Sequence, residues 1–161
     1  MDHLPSLTSD CSQCAALCCV GLTLDQGEMF AIDKQSGTPC PNLSRDCRCT
    51  IHTDLVDKGM TGCTLYDCAG AGQRVVQMRF NGESWRDDPT LLPAMMRDFN
   101  ALKPLHERMA QLVEAGSLDL TPDLEAERVA LLTRHARVWS DSDALRNRFD
   151  AFVSALAQAN P

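Results

Sequence analysis

The chain has 161 residues, 44% of them apolar and 23% charged, and carries a net charge of −7. That length fits one domain, or a small module with an appendage, and the apolar share is enough for a core. An acidic chain with no basic stripe lacks the footprint of a nucleic-acid binder, and no run approaches the ~18 apolar residues that a membrane span needs.

Met1-Asp2-His3-Leu4-Pro5-Ser6 has neither the basic start nor the apolar stretch of a signal peptide, so a cytoplasmic location is expected. Residues 1–9 read as a loose polar lead-in, with His3 solvated. All nine cysteines lie between Cys11 and Cys68. In a reducing compartment such thiols are more often metal ligands or redox groups than a disulfide framework.

The first predicted element is a helix through Cys11-Ser12-Gln13-Cys14-Ala15-Ala16-Leu17-Cys18-Cys19, ending near Gly21 as its left-handed cap. At about 100° per residue, Cys11, Cys14 and Cys18 fall within roughly 60° of one another, and Cys19 lies better placed for a second centre. Thr23 to Lys34 reads as a short second helix. The prolines around Cys40 enforce a turn. Asp46-Cys47-Arg48-Cys49 reads as extended backbone, which points alternate thiols the same way. His52 to Lys58 is a helical turn closed by Gly59, Cys63 and Cys68 follow, and Gly70-Ala71-Gly72 ends the cysteine module.

Val76, Met78 and Phe80 alternate with polar residues ahead of Asn81-Gly82, predicting a short β-hairpin near residues 75–86, with a helical turn as the alternative. Asp88-Pro89 opens the longest helix. Its stripe is Leu92, Met95, Phe99, Leu102, Met109 and Val113, it ends at Gly116, and Pro104 is expected to kink it. His106 sits in an apolar slot, as a ligand or as a hydrogen-bonded core histidine, and the second reading is the stronger. His52, beside Cys49, is a candidate ligand or a donor to a thiolate, and His135 is surface or packing. Thr121-Pro122-Asp123 caps a helix carrying Leu124, Leu131, Leu132 and Trp139. The last helix follows Ser140-Asp141-Ser142-Asp143, with Leu145, Phe149, Phe152, Val153 and Leu156 as its stripe. Arg128, Arg134, Arg137, Arg146 and Arg148 read as solvated faces balanced by Glu125, Glu127, Asp141 and Asp143.

The cysteine spacing is C-x2-C-x3-C-C-x20-C-x6-C-x-C-x13-C-x4-C. It resembles the YkgJ-type cysteine-cluster family, described as zinc- or iron-chelating, whose C-x2-C-x3-C-C motif stands here as Cys11, Cys14, Cys18 and Cys19. That family's later pattern is similar to Cys40, Cys49 before Ile51-His52, Cys63 and Cys68. The phrases Gly37-Thr38-Pro39-Cys40-Pro41-Asn42-Leu43 and Tyr66-Asp67-Cys68 are similar to cysteine-rich modules found ahead of pentapeptide repeats, although this chain has no such repeats. The resemblance implies metal binding through Cys11, Cys14, Cys18, Cys19, Cys40, Cys49, Cys63 and Cys68, and no particular reaction. In the resembling proteins the position of Cys47 is usually aromatic, which makes it a packing residue, and that of His52 is often tyrosine.

Eight thiols suffice for two tetrahedral zinc ions or for iron–sulfur ligation, and the expectation here leans to zinc. The expected architecture is mainly α: a metal-stapled cysteine module at residues 10–72, a connector at 73–87, and a three-helix C-terminal bundle at 88–158. No Ser-His-Asp order, Walker loop or dinucleotide fingerprint occurs, so the sequence assigns no reaction and leans away from an enzyme without deciding it. Three functions remain: a protein holding a structural or stored zinc or iron, an iron–sulfur redox protein, and a module whose bundle recognises a protein partner.

Overall fold

A computed structural model describes residues 4–159. The fold is mainly α, as expected. Its helices are α1 (Leu17–Gly21), α2 (Thr61–Leu65), α3 (Ala71–Arg79), α4 (Leu92–Ala115), α5 (Pro122–Arg137) and α6 (Asp143–Ala159), with 3₁₀ turns at Cys11–Gln13, His52–Asp54 and Pro89–Leu91. α4 runs through Pro104 and is the spine: α1 and α3 pack on it from the cysteine side, and α5 on it from the other, with α6 against α5. Among the described residues no helix is long and apolar enough to cross a membrane.

α4 buries Met95, Phe99, Leu102, Leu105, His106, Met109, Leu112 and Ala115, a stripe at three- and four-residue steps. Leu105 and Leu112 carry that stripe where Val113 was expected, because Val113 faces water at 48% exposure. Asp88 accepts from the Thr90 N–H at the helix entry, and Thr121 accepts from the Leu124 N–H at the start of α5. The expected charge pairs form on the outer helices: Arg128 with Glu125, Arg148 with Glu127, and Arg146 with Asp141 and Asp143.

The predicted hairpin at 75–86 is replaced by α3. Ala71, Gly72, Val75 and Val76 lie on one helical face and are buried, while Met78, central to the alternating reading, is 64% exposed. Asn81 and Gly82 do take positive φ, but they turn the chain out of α3 rather than joining two strands. Trp85 then donates its indole N–H to the Ala15 carbonyl at 2.7 Å, tying the connector back to the cysteine segment.

Other local expectations also give way. The Cys11–Cys19 helix is broken: a 3₁₀ turn, extended backbone at Cys14 and left-handed Ala16 precede the five-residue α1. Gly21 lies inside α1 and is not a left-handed cap. Thr23 to Lys34 is no helix but a loop pinned by a Leu24–Lys34 antiparallel bridge. The lead-in from Leu4 is not loose: Gln73 donates to the Thr8 carbonyl, Ser9 bonds Asp67, and the Ser6 carbonyl sits against Gly70, where φ is +78° and a Cβ would lie 2.3 Å from that oxygen. His3 lies outside the described residues. Gly59 closes the turn after His52 with φ +69°, as the sequence suggested.

Candidate metal centre

All nine cysteines line one cavity of about 560 Å³ at the junction between the cysteine segment and α4. They arrive from separate pieces of chain. Cys11 comes from the first 3₁₀ turn, Cys14 from the extended residue after it, and Cys18 and Cys19 from α1. Cys40 sits in the Pro-flanked turn, Cys49 at a bridge to Leu43, Cys63 on α2, and Cys68 just ahead of α3. Phe99 of α4 and Gly72 of α3 complete one wall. Gly72 allows a close approach there, since a Cβ would lie 2.7 Å from the Cys14 sulfur.

The thiols fall into two neighbourhoods. Burial pushes the Cys14 thiol up to about 12, with Cys68 and Cys11 adding to the rise. Burial, then Cys19, Cys40 and Cys49, push Cys63 up, and burial with Cys19 and Cys40 raises Cys49. Cys14 and Cys18 thus feel Cys68, and Cys49 and Cys63 feel Cys19 and Cys40, while Cys11 feels Cys19 ahead of Cys68 and stands between the two neighbourhoods. The adjacent Cys18 and Cys19, with sulfurs 3.9 Å apart, join them. Within that pair the hydrogen bond raises Cys18, which keeps its proton, and lowers Cys19, which burial opposes and Lys34 assists. The one-face helix argument brings Cys11, Cys14 and Cys18 together for the wrong reason, since loops rather than a helix gather them.

Cys47 differs from the other eight. Its backbone is left-handed at φ +61°, so the extended reading of residues 46–49 fails, and its 7%-exposed side chain packs in the hydrophobic core with its sulfur 3.6 Å from the Ser84 hydroxyl. Cys47→Ser is therefore expected to keep full metal content at a stability cost of about 1 kcal/mol, whereas Cys49→Ser is expected to lose a metal equivalent. Metal analysis of the two purified variants checks the ranking.

Of the histidines, His106 is fully buried and donates from Nδ1 to the Ala69 carbonyl at 2.6 Å, while Arg74 donates to its Nε2 at 3.2 Å. Burial lowers its pKa and keeps it neutral. It is a core histidine, as the stronger sequence reading held. His135 is also fully buried, edge-on to Phe149, with Nδ1 on the Leu131 carbonyl. His52 lines the cavity from an exposed position.

Among the described residues no three His, Cys, Asp or Glu side chains stand close enough together to hold a metal ion as they are oriented. The backbone gathers the thiols around a common space, and a χ1 step re-aims a cysteine without moving its backbone. The donor chemistry fits a thiophilic metal, since the cavity is lined by nine thiols, most of them partly buried, and among the described residues Asp10 is its one carboxylate. Tyr66 supplies a second sign. Its hydroxyl is buried in the cavity wall with no hydrogen-bond partner among the described residues, and burial raises its pKa, so it stays a donor. A metal-bound thiolate or cluster sulfide is an acceptor for it.

The chain is similar to the uncharacterized protein YybG of Bacillus subtilis (strain 168), 42% identical over 121 residues. Those residues make up 75% of this chain and 43% of that protein, so the chain spans less than half the length of this relative. No family model matches the chain, and no solved structure matches it.

Two cavity residues escaped the sequence reading of the site. Tyr66 stood only as part of the phrase Tyr66-Asp67-Cys68. Lys34 stood only as the last residue of the predicted second helix, yet it is one of four basic residues in the first 72 and the only lysine there flanked closely by apolar Ile32 and Ala31.

Proposed function

We propose that this chain is a metal-binding protein that holds zinc through clustered cysteine thiolates, with the ion serving chiefly to staple the fold. The observation that carries the reading is the convergence of all nine cysteines, from segments spread over 58 residues, on one cavity. Core economy supports it. Between Thr23 and Cys68 the buried apolar side chains are Leu24, Cys47 and Met60, and the longest helix there has five residues. So little apolar burial cannot offset the ordering of some 46 residues at ~1–2 kcal/mol each, whereas structural zinc supplies about 10–16 kcal/mol in small modules. Eight thiolates satisfy two tetrahedral ions. When bound, the metal supplies cross-linking of the loops; Cys11, Cys14, Cys18 and Cys68 would hold one ion, and Cys19, Cys40, Cys49 and Cys63 the other. The YkgJ-type resemblance of the spacing agrees with this, and so does a cytoplasmic setting in which thiols stay reduced.

The size of the cavity, about 560 Å³, leaves room for a second reading, an iron–sulfur cluster in place of zinc, in a redox protein. A four-thiolate zinc draws its sulfurs to about 3.8 Å from one another, given Zn–S bonds of ~2.3 Å. A cluster spaces its thiolates farther apart. Anaerobic purification followed by a visible spectrum separates the two, since clusters absorb there and zinc does not. Under either reading Cys14→Ser and Cys63→Ser should each remove one centre and leave the other. Loss of both centres in both folded variants would contradict the division into two groups.

A further inference from the structure

Lys34 has no carboxylate partner among the described residues, yet it is only 6% exposed. Its ammonium, with three N–H groups, lies within hydrogen-bond reach of four backbone carbonyls: Val20 at 3.1 Å, Gln35 at 3.2 Å, Thr38 at 3.0 Å, and Leu22. Those carbonyls belong to two segments. Val20 and Leu22 lie at the end of α1, which carries Cys18 and Cys19, and Thr38 lies two residues before Cys40. The Cys40 N–H bonds the Cys19 carbonyl at 3.0 Å, and the Gly37 N–H bonds the Val20 carbonyl at 2.9 Å, so the same two segments are laced around the cation. Lys34 also lines the cavity with Cys18, Cys19 and Cys40.

A buried ammonium satisfied by carbonyl dipoles alone still lacks a counter-charge, and burying an uncompensated charge is expensive. Four thiolates around a divalent ion have the opposite problem, a net charge of about −2 in a partly apolar wall. The two deficits cancel if they face each other. Resting on the metal reading above, we propose that Lys34 is the positioning and charge-compensating residue of the Cys19, Cys40, Cys49 and Cys63 centre, holding α1 against the Cys40 turn while neutralising part of the thiolate charge. The opposite centre faces a different cation: Arg48 lines the cavity and opposes the burial-driven rise of Cys11, while Lys34 is not among the influences on Cys14. Direction agrees at Lys34, where burial lowers the pKa and Cys40, Cys19 and Cys18 oppose that fall.

The test is a competition titration of the reduced full chain with Zn²⁺ against a chromophoric chelator, for wild type, Lys34→Met and Lys34→Arg. Outer-shell partners are typically worth about 10- to 100-fold in metal affinity. Lys34→Met should weaken one zinc equivalent by that factor and leave the other unchanged, and Lys34→Arg, which keeps the charge and donors, should recover most of the loss. Two unaltered equivalents in Lys34→Met would overturn the assignment. So would equal weakening of both equivalents in the folded variant, or a folded Lys34→Arg as weak as Lys34→Met. Should Lys34→Met not fold, Lys34→Arg decides: two tight equivalents support the assignment and the loss of one overturns it. A wild-type chain that takes up no zinc brings down the metal reading and this assignment together, whereas wild-type uptake with indifferent variants brings down the assignment alone.

Discussion

Removing the metal from the reduced chain is expected to open residues 23–68 to protease while most of the helical circular dichroism survives. The reason is the uneven distribution of the core. α4, α5 and α6 bury Phe99, Leu102, Leu105, Met109, Leu112, Leu131, Leu145, Phe149 and Phe152 together, and that packing needs no ion. The cysteine loops have three buried apolar side chains to hold them, so under the proposed metal reading their order would depend on thiolate–metal bonds of about 10–16 kcal/mol per structural site. α1 should resist longer than the loops, because Leu17 and Val20 are fully buried in the shared core. Limited proteolysis with mass-spectrometric mapping, before and after a strong chelator, reads the result. Unchanged resistance of residues 23–68 after complete metal removal would show that the loops stand on their own.

Phe99→Ala is expected to cost about 3–5 kcal/mol, the range for truncating a buried phenylalanine. Phe99 is 2% exposed, forms part of the cavity wall, and lies within 3.8 Å of where a Cβ on Gly21 or Gly72 would sit. It is thus packed against α1 and α3 at once, so the void is lined by three elements that cannot all collapse into it. At ~2–4 °C per kcal/mol for a chain of this size, the melting temperature should fall by about 6–20 °C. Thermal unfolding of wild type and variant with metal held constant checks this, and a fall of under 2 °C would mean that the α1–α3–α4 junction is not tightly packed.

The helices of the second half were legible because their signals are local. Asp88-Pro89, Thr121-Pro122 and Ser142 are caps that act within one turn, and the α4 and α6 stripes repeat often enough to set the period. α3 was misread because its nine residues offer a period-two and a period-four pattern at once, and only packing of Val75 and Val76 on α4 chooses between them. The first half is harder for a physical reason. Its backbone is set by left-handed Ala16, Cys47 and Ala69, residues with no intrinsic preference for that conformation, so no propensity foretells them. The gathering of the thiols was legible from their spacing, and they line one cavity although the backbone between them differs from the expected one. Lys34 was not, because a buried cation looks like any surface lysine until the carbonyls around it are known.

Metal content per chain, measured on protein purified and kept reduced without oxygen, tests the central claim most directly. Two zinc ions per chain, or iron with acid-labile sulfide in cluster proportion, is the predicted result. A folded, fully reduced chain carrying no metal and taking none up from added zinc would contradict it.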